Sequence, residues 1–536
     1  MSNRRSWIGA ACLVTCALAG SATAAGPDAA RSARDARALA DTIDRLLAEK
    51  WAEARLAPAP PADDATFLRR VSLDLIGKIP RAPEASDFID DPSPQKRTRL
   101  VDEYLDGGPY TKYSTEIYRS LILPEADTDP QARFIAPTFE AWLGRKVDEN
   151  AGYDQIVREV LTTKLSKGKG NPFATKAEPT PLAFYVAKGG KPENLAAGTA
   201  RVFLGIRLEC AQCHNHPFAR WKREEFWGLA SFFAGVGKQG EGDNFNTIKE
   251  VASRHELTIP GTEKVVKAAY LDGGTPKFTA KSEGRALLAD WVTADDNPYF
   301  ARAAVNRVWA RFFGNGLVEP VDDMGADNPP SHPELLDELA MQFRTHGYDL
   351  KFLIRALTTS KAYGLSSAVG RGESAPPLFA AMPVRGLAPG QLFDSLALAT
   401  GYKEGAPNRF GIEADTGKAR FLEQFANRDE KPTESQMSIL QALTLMNGSI
   451  VSGATTLETG DTIAAITDPE SPNLRSTADR IEQLYLATLT RRPRPEELSM
   501  LLAFVDRAGP EAGKSRAATA DVFWALLNSP EFRLNH

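Results

Sequence analysis

Asn297-Pro-Tyr-Phe-Ala-Arg-Ala-Ala-Val-Asn-Arg-Val-Trp-Ala-Arg-Phe-Phe313 carries its apolar residues at helical spacing. Ala301, Ala304, Val305, Val308, Trp309, Phe312 and Phe313 fall on one face over three turns. Asn297 followed by Pro298 is an N-cap and first-turn signal for that helix. Downstream, Ser331-His332-Pro333-Glu334 reads as a capping box, opening a helix with Leu335, Leu336, Leu339 and Phe343. Gly347 ends it, and Leu350, Leu353, Ile354 and Leu357 make the next. Thr433 is expected to open another, and three more are expected at about 476–490, 495–508 and 517–529. Residues 370–380 and 403–432 read as connectors.

Upstream the period is the same. An amphipathic helix is expected over Ala38–Leu56, ended by Pro58 to Pro61, and further helices at Phe67–Leu75 and about 137–149, 153–163 and 193–213. The last carries Leu195, Thr199, Val202, Phe203 and Ile206 on one face and two cysteines near its end. Only about 236–282 is Gly-rich and β-branched, which predicts loop with a few short strands. The expected fold class is mainly α, with two helical lobes joined by a short loop/β-rich segment. The expected boundaries are a signal peptide at 1–24, a linker and amphipathic helix at 25–62, a helical domain at 63–236, a connector at 237–282 and a second helical domain at 283–536.

Composition narrows the function classes. The chain has 536 residues, 43% hydrophobic and 25% charged, enough to bury several cores. A net charge of −5 argues against general nucleic-acid binding, which needs a basic face. Beyond the N-terminus no apolar run reaches the roughly 20 residues of a spanning helix. At the N-terminus, Arg4 and Arg5, the apolar stretch Trp7–Gly20 and Ala22-Thr23-Ala24 read as an export signal cut after Ala24, which predicts a periplasmic or secreted protein. Thr15 before Cys16 is a poor fit to a lipoprotein signal. Cleavage would lower the net charge to −7 and leave Cys210 and Cys213 as the two cysteines.

Those two lie in Cys210-Ala-Gln-Cys213-His214, the C-x-x-C-H spacing of c-type haem attachment. Thiols one helical turn apart face the same way and can add to the two vinyl groups of one porphyrin, and His214 can present its imidazole to the iron. Phe203, Phe218, Trp221, Phe226, Trp227, Phe232 and Phe233 are candidates to bury the macrocycle, or else ordinary core. A second reading is a zinc or copper site using Cys210, Cys213, His214 and His216, completed from elsewhere by His255 or His332. A third is a structural Cys210–Cys213 disulfide, with no bound cofactor. If haem is present, Met324, His255 and His332 are candidates for the sixth iron position. His216 is too close to His214 to reach the far face.

The second lobe offers Arg302 and Asn306, and Arg307 and Arg311, at i,i+4, followed by Asp322, Asp323, Asn328 and His332. This is a candidate anion, metal or haem-propionate site, against the plainer expectation of a solvated helix face. No nucleophile elbow, phosphate loop or His-Glu-x-x-His is present, so no catalytic residue is assigned.

Cys210-Ala-Gln-Cys-His-Asn-His-Pro-Phe218 with Trp221, Phe67-Leu-Arg-Arg-Val-Ser-Leu-Asp-Leu75 and Phe139-Glu-Ala-Trp-Leu143 resemble the domain-of-unknown-function family numbered 1549. Asn297–Trp309, Gly316-Leu-Val-Glu-Pro-Val-Asp-Asp323, Asn328-Pro-Pro-Ser-His-Pro-Glu334 and Asn528-Ser-Pro-Glu-Phe532 resemble the companion family numbered 1553. The resemblance covers nearly all of the chain after the signal. It implies a planctomycete-type exported protein, of a kind often fused to or named for cytochrome c-like domains and commonly encoded beside secreted sulfatase-like proteins. No separate N-terminal cytochrome domain is expected, which leaves Cys210, Cys213 and His214 as the haem candidate. The function expected is electron transfer, or redox support of an exported partner such as a sulfatase-like protein. The alternatives are a non-redox binding or scaffold protein, engaging polysaccharide or a sulfatase-like partner, and a metal-dependent hydrolase.

Overall fold

The computed structural model describes residues 27–165, 178–238, 248–251, 253–279, 283–367, 378–403, 417–426, 433, 438–456, 460–468, 470, 474, 476–509 and 511–536. The expected signal peptide lies outside them. The fold is mainly α, as the apolar period requires. Among the described residues no helix is long and apolar enough to cross a membrane.

The first long helix, Pro27–Glu53, buries Ala36, Leu39, Ile43 and Leu47 and packs on the helix Leu350–Thr359. The next, Asp64–Ile76, is capped by Asp63, whose carboxylate accepts the Thr66 N–H at 2.7 Å. It is buried from Phe67 to Leu75. It ends at Gly77 with φ +73°, where a Cβ would lie 2.4 Å from the Tyr113 ring, so only glycine fits.

The described part of the expected connector holds two antiparallel strand pairs, Val236–Lys238 with Ile248–Glu250 and Glu256–Thr258 with Val265–Lys267. They do not separate the two lobes. Ile248, Ile259, Ala268 and Leu271 join the first core, as do the helices Phe300–Phe313, Pro333–Thr345 and Leu350–Thr359 beyond them. Buried apolar side chains instead divide between Met382 and Leu392, with Leu486 alone of the later buried residues joining the first core. The cause is the apolar face of Phe300–Phe313, which turns toward the first lobe; Phe300 stacks on Tyr153 with centroids 5.4 Å apart. The second core contains Leu396, Phe421, Ile463, Ile481, Leu484, Phe523 and Phe532, and takes Leu73 and Ile79 from the first part of the chain.

Several boundaries move from their expected places. The helix expected to open at Thr433 is Ile439–Asn447, capped by Ser438. The expected connector at 403–432 contains the helix Gly417–Phe425. Ser331 caps nothing: its hydroxyl donates to the Leu317 carbonyl, and His332 holds the N-cap position with Pro333 as first helical residue.

Candidate functional site

The helix expected over 193–213 is broken into three pieces. Pro192–Thr199 is α-helical, Ala200–Leu204 widens into a π turn, and Gly205 stops it at φ +65°. A Cβ on Gly205 would lie 2.9 Å from Met324 Cγ and 3.0 Å from Ala303 Cβ. Ile206 then bridges to Asp323, and the Met324 N–H donates to the Gly205 carbonyl at 2.8 Å. The cysteines follow on a separate 3₁₀ turn, Glu209–Gln212.

On that turn Ala211 is buried, while Cys210 and Cys213 are exposed, free thiols. Cys210 lies within the turn and Cys213 is its C-cap, and both side chains are open to solvent. The turn is fastened from below. The Gln212 carbonyl accepts Trp227 Nε1–H at 3.0 Å and Arg223 Nε–H at 3.3 Å, and Asn215 Oδ1 accepts the Arg223 N–H at 3.0 Å. Both anchors belong to the helix Arg223–Ala230.

The two histidines differ. His214 is exposed, and its Nδ1 lies 2.7 Å from the Asn215 carbonyl. A carbonyl only accepts, so the proton sits on Nδ1 and the Nε2 lone pair is free for a metal. His216 Nδ1 instead accepts the Phe218 and Ala219 N–H groups at 3.2 and 2.9 Å. Neutral His216 therefore carries its proton on Nε2 and has no lone pair left for coordination.

Tested against haem c, two exposed free thiols three residues apart and the exposed imidazole that follows fit attachment through the sulfurs and ligation by His214. The surrounding aromatics do not form a slot. Phe203, Trp221, Phe226, Trp227, Phe232 and Phe233 are buried in the first core, and Phe218 alone of the seven stands out, 89% exposed. Among the described residues no group of three or more His, Cys, Asp or Glu side chains is arranged to hold a metal ion.

The candidate sixth ligands are engaged elsewhere. Met324 packs behind Gly205. His255 stacks on Phe278 with centroids 3.9 Å apart, and burial lowers its pKa. His332 is buried beside Phe379, and burial, with Lys50 adding repulsion, pulls it down to about 4.

The second-lobe constellation is neither a solvated face nor an open anion site. Asn306, fully buried, holds the loop after its helix by donating to the Val318 carbonyl and accepting the Val318 N–H, both at 2.9 Å. Arg307 donates to the Val202 and Arg201 carbonyls, Arg311 to the Asp74 carbonyl at 2.6 Å, and Arg302 pairs with Asp337 at 3.0 Å. Asn328 donates to the carbonyls of Glu319 and Asp323. Asp322 is buried and pairs with Arg201 at 2.7 Å and Arg207 at 2.6 Å. Arg201 and Arg207 were not singled out in the sequence, because nothing in their spacing announces a carboxylate more than a hundred residues away. This ion triad ties the loop around Asp322 to the π turn and to the segment that enters the cysteine turn.

Residues 42–238 match the family model PSCyt2, a protein of unknown function (DUF1549), and residues 284–414 match PSD1, a protein of unknown function (DUF1553). No curated protein and no solved structure was found to match. The chain thus carries matches to these two family models in tandem.

Proposed function

We propose that this is an exported c-type haem protein, with haem held through thioethers at Cys210 and Cys213 and with His214 as axial ligand, serving electron transfer to an extracytoplasmic partner. The observation that carries this reading is that Cys210, Cys213 and His214 are all exposed on one short stretch, with His214 Nδ1 held 2.7 Å from the Asn215 carbonyl, which favours a proton on Nδ1 and leaves Nε2 as the ligand atom. Bound there, haem would supply a one-electron couple. The chain's own part is to hold the turn still through Gln212 and Asn215 and to keep both thiols accessible for attachment.

The test is a denaturing gel stained for haem peroxidase activity, run on protein exported from a host with c-type haem maturation machinery. Stain that survives denaturation and is absent from Cys210→Ala/Cys213→Ala is the expected result. An unstained protein, with a control cytochrome matured normally, would overturn the reading. The second reading, a non-redox binding or scaffold protein, is favoured by the six buried aromatics, which leave the turn with a single exposed ring. It predicts normal export and no stain.

A further inference from the structure

We infer that the Phe218 loop is a docking surface for the acidic face of a protein partner. The loop is closed by the His216 N–H donating to the Trp221 carbonyl at 2.8 Å, and stiffened by the two backbone bonds to His216 Nδ1. A ring 89% exposed on a braced loop is costly to leave in water, and it is the shape of an interface anchor.

Its rim is cationic in a chain whose net charge is −5. The charged residues beside Phe218 are Arg220, Lys222 and Arg223, followed by Glu224 and Glu225. Glu224 is paired with Lys264 at 2.6 Å, and Glu225 is turned back to accept the Lys222 N–H at 2.6 Å, so the cations remain in excess. Arg220 donates to the Tyr299 hydroxyl at 2.9 Å and lies 4.6 Å over the Trp221 ring, and Arg223 bonds to carbonyls of Gln212 and Pro260. These partners orient the guanidiniums without cancelling their charge. Lys222 is exposed beside them. One phenyl anchor is worth only about 2 kcal/mol of burial, too little to hold a membrane surface. An acidic protein face with an apolar socket matches both the ring and the rim.

The inference deepens the redox reading by naming the partner's chemistry and rests on it for what the contact is used for. Binding itself needs no haem, so the two fail separately. The probe is a helical peptide of about 20 residues, Glu along one face and Leu along the other, with its Lys-for-Glu counterpart and heparin as controls. Fluorescence anisotropy at low salt is read on the wild type, Phe218→Ser and Arg220→Glu/Lys222→Glu, each checked for unchanged helicity. The expected result is binding of the acidic peptide alone among the peptides, weakened about tenfold or more by either variant. Equal binding by all three proteins would overturn the inference, as would no binding. Binding of peptide and heparin that follows the charges and ignores Phe218 would also overturn it, in favour of a general polyanion surface.

Discussion

Two regions built from family motifs meet opposite fates in the fold. Around Asp74 the motif residues are buried. Asp74 accepts Arg385 at 2.8 and 2.9 Å, the Tyr363 hydroxyl at 2.8 Å and Asn535 at 2.9 Å. Arg69 donates to the carbonyls of Thr488, Glu531, Phe532 and Leu534, and Arg70 to those of Tyr363, Leu365 and His536. Burial pulls both guanidiniums down to about 10. Around Cys210 the cysteines, His214 and Phe218 are exposed, and the bonds that hold the turn run through the Gln212 carbonyl, Asn215 and His216. The first set locks the chain's last residues to its second long helix. The second is presented to solvent with no structural task that needs its thiols, so the search for chemistry belongs there.

The largest expected effect follows from the buried set. Asp74→Ala leaves the Arg385 cation buried without its carboxylate and the Tyr363 and Asn535 donors unpartnered. A loss of about 3–5 kcal/mol in urea unfolding is expected. A loss under about 1 kcal/mol would mean that water enters the joint and that the two regions differ less than their burial says.

Acid should act next. His332 is held neutral, its pKa at about 4 against an ordinary 6.5. Between those values the unfolded chain binds a proton that the folded chain refuses, so stability is complete above pH 6.5 and is lost as pH falls toward 4. The full loss is up to about 3 kcal/mol. His536, also lowered to about 4 by burial, titrates in the same window, so the measurement is the difference in pH dependence between wild type and His332→Gln. Parallel curves would show that His332 takes up its proton without leaving the core.

A smaller change is expected at the link between the regions. In Asp322→Asn the buried carboxylate is lost, but Arg201 and Arg207 are half exposed and can turn to water. Destabilisation of about 1–2 kcal/mol by thermal melt is expected. A loss matching that of Asp74→Ala would make the triad a second structural core.

The helical period made most of this architecture legible. Tyr153–Thr162, Leu350–Thr359 and Pro495–Arg507 lie close to where their apolar spacing puts them, while the helix expected from Ala38 begins eleven residues earlier, at Pro27. The helix leading to the cysteines was not legible, because Val202, Phe203 and Ile206 keep the apolar face while Gly205 turns the backbone beneath them. Lobe membership was hidden too. Spacing says that Phe300–Phe313 has a buried face, and not that the face belongs to the earlier lobe. At the site, the thiol spacing was readable as far as residue types go. The difference between His214 and His216 was not, since it depends on which backbone groups reach each Nδ1.

The smallest effect is expected where the chemistry is proposed. Cys210 and Cys213 are exposed, and no hydrogen bond that holds the turn uses a sulfur; Gln212 and Asn215 supply those bonds. In protein prepared without haem, Cys210→Ala/Cys213→Ala should unfold within about 0.5 kcal/mol of the wild type. His214→Ala should do the same, because it loses one solvent-exposed bond to a neighbouring carbonyl. A loss of 2 kcal/mol or more, about what a disulfide or a structural metal contributes, would show that the thiols hold the turn themselves. The contrast with Asp74 would then collapse, since both motif regions would be structural. The exposed ring of Phe218 would remain as the feature at this site that the fold does not need.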